Sequence, residues 1–347
     1  MRLSKVIESL YLKVFVGIVV SAEKYDVVIE ILKGSDVKER LMKSFSSSSG
    51  KGEMQSFIET YTSESPFYYI ALLNPMADQG AIPTCSSKRS EDFLDLSTSI
   101  TLCQDKQWTL YAAKPDLDQL RREYKKTGLD FIFSPFSVMQ RFFKDKITSG
   151  LSLFVLAQPE SISLTIFQEG LLLFAQQVKM EAEEEDLFDD QNDDNISLSF
   201  ELDADGLEEG IDLDDINAID DLEGLDDLND IEDLDAVGDL ESFEEDIPEM
   251  APVAIDKEEA TEEPSIEGFN EDFKRFQIIQ NSLNSYYSDG KFDQQFIESV
   301  YVADGCGVTD DLKHYLEEEL FMKVYIRRID LAAEVVDLAK AEAKYAI

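Results

Sequence analysis

Residues 151–178 read LSLFVLAQPESISLTIFQEGLLLFAQQV. Three runs rich in Leu, Ile, Phe and Val, from Leu151 to Ala157, Ser161 to Phe167 and Leu171 to Val178, are parted by short polar breaks, the second closed by Gly170. Apolar runs of this length between turn residues are a strand signal, so the stretch predicts a three-strand meander. Near the start of the chain the same pattern recurs. Tyr11 to Val20 and Tyr25 to Leu32 are rich in Val, Ile and Tyr and flank Ser21-Ala-Glu-Lys24, which predicts a hairpin, with Val37 to Phe45 as a third strand. Val14 to Val20, preceded by Arg2 and Lys5, also has the outline of a signal peptide, but Glu8 and Lys13 interrupt it.

The chain between and beyond the meanders alternates strands with helices. Glu53 to Tyr61 predicts a short helix, Phe67 to Leu73 a buried central strand, and Asn74 to Lys88 a loop. Ile100 to Cys103 and Trp108 to Ala113 predict paired strands. Pro115 opens a helix with Leu117, Leu120 and Tyr124 on one face and Gly128 beyond its end. A strand at Leu129 to Phe133 and a helix from Ser134 follow. Further on, Phe273, Phe276, Ile279 and Leu283 have the spacing of one helix face, and Phe296 to Val302 predicts a strand. Thr309 is placed to cap a helix running to Leu320, Val324 to Ile326 predicts a short strand, and Leu331 to Tyr345 a last helix. Meanders mixed with crossover helices give an α/β fold.

Charge divides the chain. Of 347 residues, 74 are Asp or Glu and 31 Lys or Arg, for a net charge of −43. Between Glu181 and Glu263 stand 37 acids and one base, Lys257, so this insert holds 36 of those negative charges. The remainder, with 37 acids and 30 bases, is only mildly acidic. So acidic a chain is repelled by phosphate and by anionic lipid, which argues against nucleic acid and direct membrane insertion. Within the insert, Leu213, Ile216, Ile219, Leu222, Leu225, Leu228, Ile231, Leu234, Val237 and Leu240 recur every third residue. On an α-helix such a row drifts about 60° per step and in a strand it alternates faces, so neither form buries it. The insert is therefore predicted to be disordered or transiently helical, apart from a strand-like Ile196 to Leu202. It reads as a solvated spacer or as a lure for a basic partner through its Leu and Ile contacts. Asp203-Ala-Asp-Gly206 brings its glycine too early for a calcium loop.

The rare residues exclude much chemistry. The only histidine, His314, lies in an amphipathic helix pattern and reads as a surface residue. Cys85, Cys103 and Cys306 are odd in number and scattered, which suggests free thiols in a reducing compartment and no zinc site. No apolar run approaches the roughly 20 residues that span a bilayer.

Three stretches together resemble the actin-like family that includes the pilus-assembly PilM proteins and the cytoplasmic domain of the secretion protein GspL. They are Trp108 to Leu120 continued by Thr127 to Pro135, the meander from Leu151 to Phe174, and Ser299 to Leu320. The resemblance implies a two-lobed actin-like (ribonuclease H-like) α/β fold with a long disordered acidic insert. The first lobe would take residues 1–150, with a partner-binding subdomain at about 90–145; the second, residues 151–180 and 267–347; the insert, 181–266. The family's ATPases hold Mg-ATP between two Asp-x-Gly hairpin turns. Here the expected positions fall on Val19 and Ser21 and on Leu156 and Gln158, and only Asp304, Gly305 and Gly307 of the third motif remain. Aliphatic side chains cannot position hydrated Mg²⁺, so the resemblance implies a non-catalytic scaffold with no cofactor. Mg-ATP enters only under the alternative of a divergent ATPase using carboxylates such as Asp92, Asp95 or Asp130. By resemblance the protein would be cytoplasmic, held at the inner membrane through a bitopic partner with a PilN-like tail, in a type IV pilus, type II secretion or DNA-uptake (competence) machine. Phe131, Phe133, Phe136, Phe142 and Phe143 are the residues expected in the groove for that tail. A third alternative is an adaptor acting through the insert on a basic protein.

Overall fold

Residues 11–180, 266–290 and 295–344 are described by the structure, a computed structural model. The period-three row and the strand expected at Ile196 to Leu202 lie outside the described residues. The chain starts with a meander of β1 (Leu12–Val20), β2 (Lys24–Lys33) and β3 (Asp36–Ser46), paired antiparallel in sequence. After helix α1 (Lys51–Thr62), β4 (Phe67–Leu73) returns parallel to β1. A small antiparallel sheet follows, built from β5 (Gln79–Ile82), β6 (Ser99–Gln104) and β7 (Trp108–Ala113) in the order β5-β7-β6, with the short α2 (Ser87–Ser90) between its first two strands. Helix α3 (Lys114–Glu123) then leads to β8 (Phe131–Phe133), parallel to β4. The first large sheet thus has the order β3-β2-β1-β4-β8.

Helix α4 (Pro135–Phe142) connects to a second meander, β9 (Ser152–Ala157), β10 (Ser161–Gln168) and β11 (Leu171–Lys179). Helix α5 (Ile266–Ser288) precedes β12 (Ser299–Asp304), which pairs parallel with β9. Helix α6 (Asp310–Glu318) precedes β13 (Lys323–Arg328), parallel to β12, and α7 (Leu331–Ala343) follows. The second sheet reads β11-β10-β9-β12-β13. Both sheets therefore run antiparallel, antiparallel, parallel, parallel from one edge to the other. This duplicated unit is the two-lobed actin-like α/β fold that the resemblance implied.

The local reasons are those expected. Thr309 Oγ1 accepts from Asp311 N at 3.2 Å and Asp330 Oδ1 from Ala333 N at 3.0 Å, which caps α6 and α7. Leu117, Leu120 and Tyr124 bury one face of α3 with Val14, Ile18 and Ile70. On the second sheet, Phe276, Ile279 and Leu283 of α5 and Leu312 and Leu316 of α6 cover one face. Phe273, expected on that face, is 41% exposed at its edge.

Helix α7 leaves the second sheet and packs on the first. Val335, Val336 and Ala339 are buried with Phe15, Val19, Val28 and Ala71. Gly17 of β1 permits this, because an added Cβ would lie 2.9 Å from Val336 Cγ2 and closer still to Ala332 O. Lys340 Nζ of α7 donates to Glu30 Oε2 on β2 at 2.6 Å, pairing a carboxylate that is only 5% exposed.

Two expectations are corrected. The segment from Asn74 to Lys88 is not all loop: Gln79–Ile82 forms β5 against β7. Gly80, inside that segment, is there because a side chain would strike the Tyr111 ring. Nor are all the cysteines free. Cys85 and Cys103 form a disulfide, 18 residues apart in sequence, and only Cys306 is free. The antiparallel small sheet brings the pair together, so the inference of a reducing compartment loses its ground.

Candidate functional site

Four of the seven predicted nucleotide positions, Val19, Ser21, Gln158 and Gly305, meet at one cleft. The β1–β2 turn is closed by Ser21 N donating to Lys24 O at 2.9 Å, and the β9–β10 turn by Gln158 N donating to Ser161 O at 3.0 Å. With Gly305 and the start of α7, these turns line a cleft of about 710 Å³. Val19, Ser21 and Gln158 line it, while Leu156 has no exposed surface and belongs to the core.

A hydrogen bond joins the two turns. Glu160, in the second turn, accepts a hydrogen bond from the Ala22 N–H in the first. Backbone N–H groups in such turns are natural anion sites, so a carboxylate here stands where a phosphate oxygen would approach. Asp304 does not face the cleft: its Oδ1 accepts from the N–H groups of Cys306 (3.1 Å), Gly307 (2.6 Å) and Val308 (3.0 Å), knitting its own turn. Gly305 donates to Ala157 O at 2.9 Å, and an added Cβ would lie 2.9 Å from that oxygen. Its absent side chain serves strand packing. Gly307 adopts φ +84°, which a glycine takes without steric cost. Arg275, 3% exposed, is held by Asp272 and Glu271, each at 2.6 Å. Cys306 also lines the cleft, and burial pushes its thiol up to about 12. Glu23, Asp26, Glu160, Glu271 and Asp330 give the walls an acidic excess. These residues do not fit Mg-ATP: Val19 and Leu156 stand where the resemblance expects metal-binding carboxylates, and the turn N–H of Ala22 is taken. Asp92, Asp95 and Asp130 do not line this cleft.

A second cavity, about 760 Å³, opens between the small sheet, β8 and α4. Among the described residues β6 and β8 are edge strands, so each carries a row of N–H and C=O groups not used by a neighbouring strand. Ile100 and Leu102 of β6, 38% and 59% exposed, face it together with Gln104. Opposite them stand Phe131 and Phe133, stacked at 5.7 Å. They end an aromatic ladder that runs Phe15 to Tyr69 to Phe131, with centroids 5.1 and 6.2 Å apart. Asp130 Oδ2 fixes the entry to β8 by accepting from Ile70 N at 2.8 Å. Arg141, at the rim, reaches Glu334 and Asp337 of α7 at 3.7 and 3.5 Å.

Of the five phenylalanines expected in this groove, Phe131 and Phe133 line it. Phe136 and Phe143 are core residues, 1% and 0% exposed, and Phe142 packs edge-on against Phe143 at 5.0 Å outside the groove. On α4 the buried stripe falls on Phe136, Val138 and Met139. The residues sequence reading missed are Ile100 and Leu102, whose alternation along β6 was the available signal. His314 is a surface residue beside Glu318, at 3.0 Å. Among the described residues, no helix is long and apolar enough to cross a membrane.

No curated protein matches the chain. Among solved structures, it is similar to a Bacteroides thetaiotaomicron protein with an actin-like ATPase fold and unknown function, at 9% identity and a TM-score of 0.48, over 97% of this chain and 99% of that one. It is similar to the PilM–PilN type IV pilus biogenesis complex at 9% identity and a TM-score of 0.48, over 93% and 98%. MreB5 of Spiroplasma citri bound to ADP matches at 8% identity and a TM-score of 0.27, over 48% and 52%. One family model, a domain of unknown function named DUF8569, matches residues 11–140. Another, a domain of unknown function named DUF8341, matches residues 153–344, more than half of the chain, and the protein belongs to that family.

Proposed function

We propose that the protein is a non-catalytic scaffold whose first-lobe groove binds the cytoplasmic tail of a bitopic inner-membrane protein. The observation that carries this is the groove itself. It offers exposed Ile100 and Leu102 on one side, Phe131 and Phe133 on the other, and a free strand edge on each. An extended peptide can add to such an edge through main-chain hydrogen bonds and seat alternate side chains in the apolar lining. The cleft supports the non-catalytic half of the reading, because Glu160 occupies an N–H group that phosphate would need. The machine, a type IV pilus, type II secretion or DNA-uptake platform, follows from the sequence resemblance and places the protein on the cytoplasmic face through its partner.

The test is titration calorimetry with synthetic tails of bitopic membrane proteins encoded beside this protein, using wild type and Leu102→Asp. Micromolar binding lost in the variant supports the groove; binding unchanged by it refutes the groove. A rise of several degrees in melting temperature with Mg-ATP would overturn the non-catalytic reading.

A further inference from the structure

We propose that the Cys85–Cys103 disulfide is a thiol–disulfide switch in the groove wall: oxidised, it holds β6 in place; reduced, it releases the strand. The proposal rests on the groove being the partner site and concerns how that site is controlled.

Cys103 lies within β6, between Leu102 and Gln104, which both line the groove. The bond therefore ties the wall itself. The rest of its hold is one-sided. It is an edge strand paired with β7 alone among the described residues, and its Ile100, Thr101, Leu102 and Cys103 are all exposed. In the three-residue turn that joins it to β7, Asp105 and Lys106 both take left-handed backbone, with φ of +48° and +61°, and Gln140 Nε2 of α4 donates to Asp105 Oδ2 at 2.9 Å. Asp suits that conformation, but Lys106 stands where such turns favour glycine.

The other half of the bond is firmly anchored. Cys85 follows Thr84, whose carbonyl accepts from Thr109 Oγ1 at 2.6 Å, and its own sulfur lies 3.1 Å from Trp108 O. Trp108 is 1% exposed. Breaking the bond thus leaves β6 held by β7 alone and the Cys85 side in place.

The bond is also reachable, because Cys103 is exposed and Cys85 half-buried. A thiolate from a small dithiol attacks one sulfur and forms a mixed disulfide, and its second thiol closes onto the first. Cys85 and Cys103 leave as two thiols, and the dithiol leaves as a cyclic disulfide after giving up two electrons and two protons. Cys306 sits in the cleft, away from this exchange.

The test uses the full chain, as purified and after dithiothreitol, and reads amide hydrogen exchange by mass spectrometry without any partner. Reduction is expected to speed exchange across residues 99–104 at least tenfold, with β1 and β9 unchanged. Removing the reductant under air is expected to reverse it. A Cys85→Ser/Cys103→Ser variant is expected to match the reduced protein with or without dithiothreitol. Unchanged exchange in β6, acceleration spread across both large sheets, or alkylation showing both thiols already free in the purified protein would each overturn the proposal. The exchange is read without a tail peptide. Failure of tail binding would therefore sink the groove reading and leave this measurement intact.

Discussion

Replacing Leu156 by aspartate would place a carboxylate in the second hairpin where the sequence resemblance expects one. The structure predicts that it breaks the fold instead. Leu156 has no exposed surface and lies between Ser163 of β10 and Ala303 of β12. Removing a buried leucine side chain costs about 2–5 kcal/mol. A buried carboxyl without partners adds about 1–3 kcal/mol when protonated and more when ionised. Together these reach roughly 3–8 kcal/mol, against a typical folding stability of about 5–15 kcal/mol. Leu156→Ala carries only the first part, and Leu156→Met costs under about 1.5 kcal/mol. The assay is urea denaturation at pH 7 followed by fluorescence of Trp108, the only tryptophan, which is buried in the same core. Midpoints should fall in the order Met, Ala, Asp, and Mg-ATP should not raise that of the Asp variant. An Asp variant within about 1 kcal/mol of wild type that Mg-ATP stabilises would refute the reasoning, because residue 156 would then face the cleft.

Three further substitutions probe the packing. Gly17→Ala forces α7 off β1 and should cost about 1–3 kcal/mol in urea denaturation; an unchanged midpoint would refute the close packing of α7 on residue 17. Lys340→Met leaves Glu30 with only Arg40, at 3.8 Å, and should cost about 3 kcal/mol at neutral pH. Burial opposes the Lys340 charge, but hydrogen bonds to Asp337 and Glu30 outweigh it and hold its pKa above the usual lysine value. The contribution is therefore full below that usual value and lost as pH rises through the folded one, so wild type and variant should converge in strong alkali. Glu334 is the opposite case: burial first, then Asp337, raises its pKa, so its charge at neutral pH opposes folding. Glu334→Gln should raise the melting temperature at pH 7, and the gain should vanish as pH falls below the ordinary glutamate range. A gain that persists in acid would rule out the charge as its cause.

Local signals carried most of the architecture. Both meanders, the α3 face of Leu117, Leu120 and Tyr124, and the Thr309 cap were legible because period, turn residues and capping act within a few residues. What failed was decided at long range. Gln79–Ile82 is too short and too Gly-marked to announce a strand; Tyr111, on the strand opposite, makes it one. The Cys85–Cys103 pair depends on that same sheet. On α4, composition could not tell which phenylalanines face the core, since helix phase is set by what packs above it. The resemblance led to four residues of the cleft, Val19, Ser21, Gln158 and Gly305, yet the Glu160 to Ala22 bond beside them joins turns 138 residues apart. Nothing local encodes it.

The docking of α7 on β1 also bears on the order in which the molecule can assemble. The inner face of the first sheet stays bare until residues 331–343 have been made, since Val335, Val336 and Ala339 are what cover it. On the ribosome, that sheet would wait through the synthesis of nearly the whole second lobe, with Phe15, Val19 and Val28 open to solvent or to a chaperone. The two lobes are thus not two folding units placed end to end. A fragment stopping short of α7 would contain every strand of the first sheet and still lack the surface that closes it.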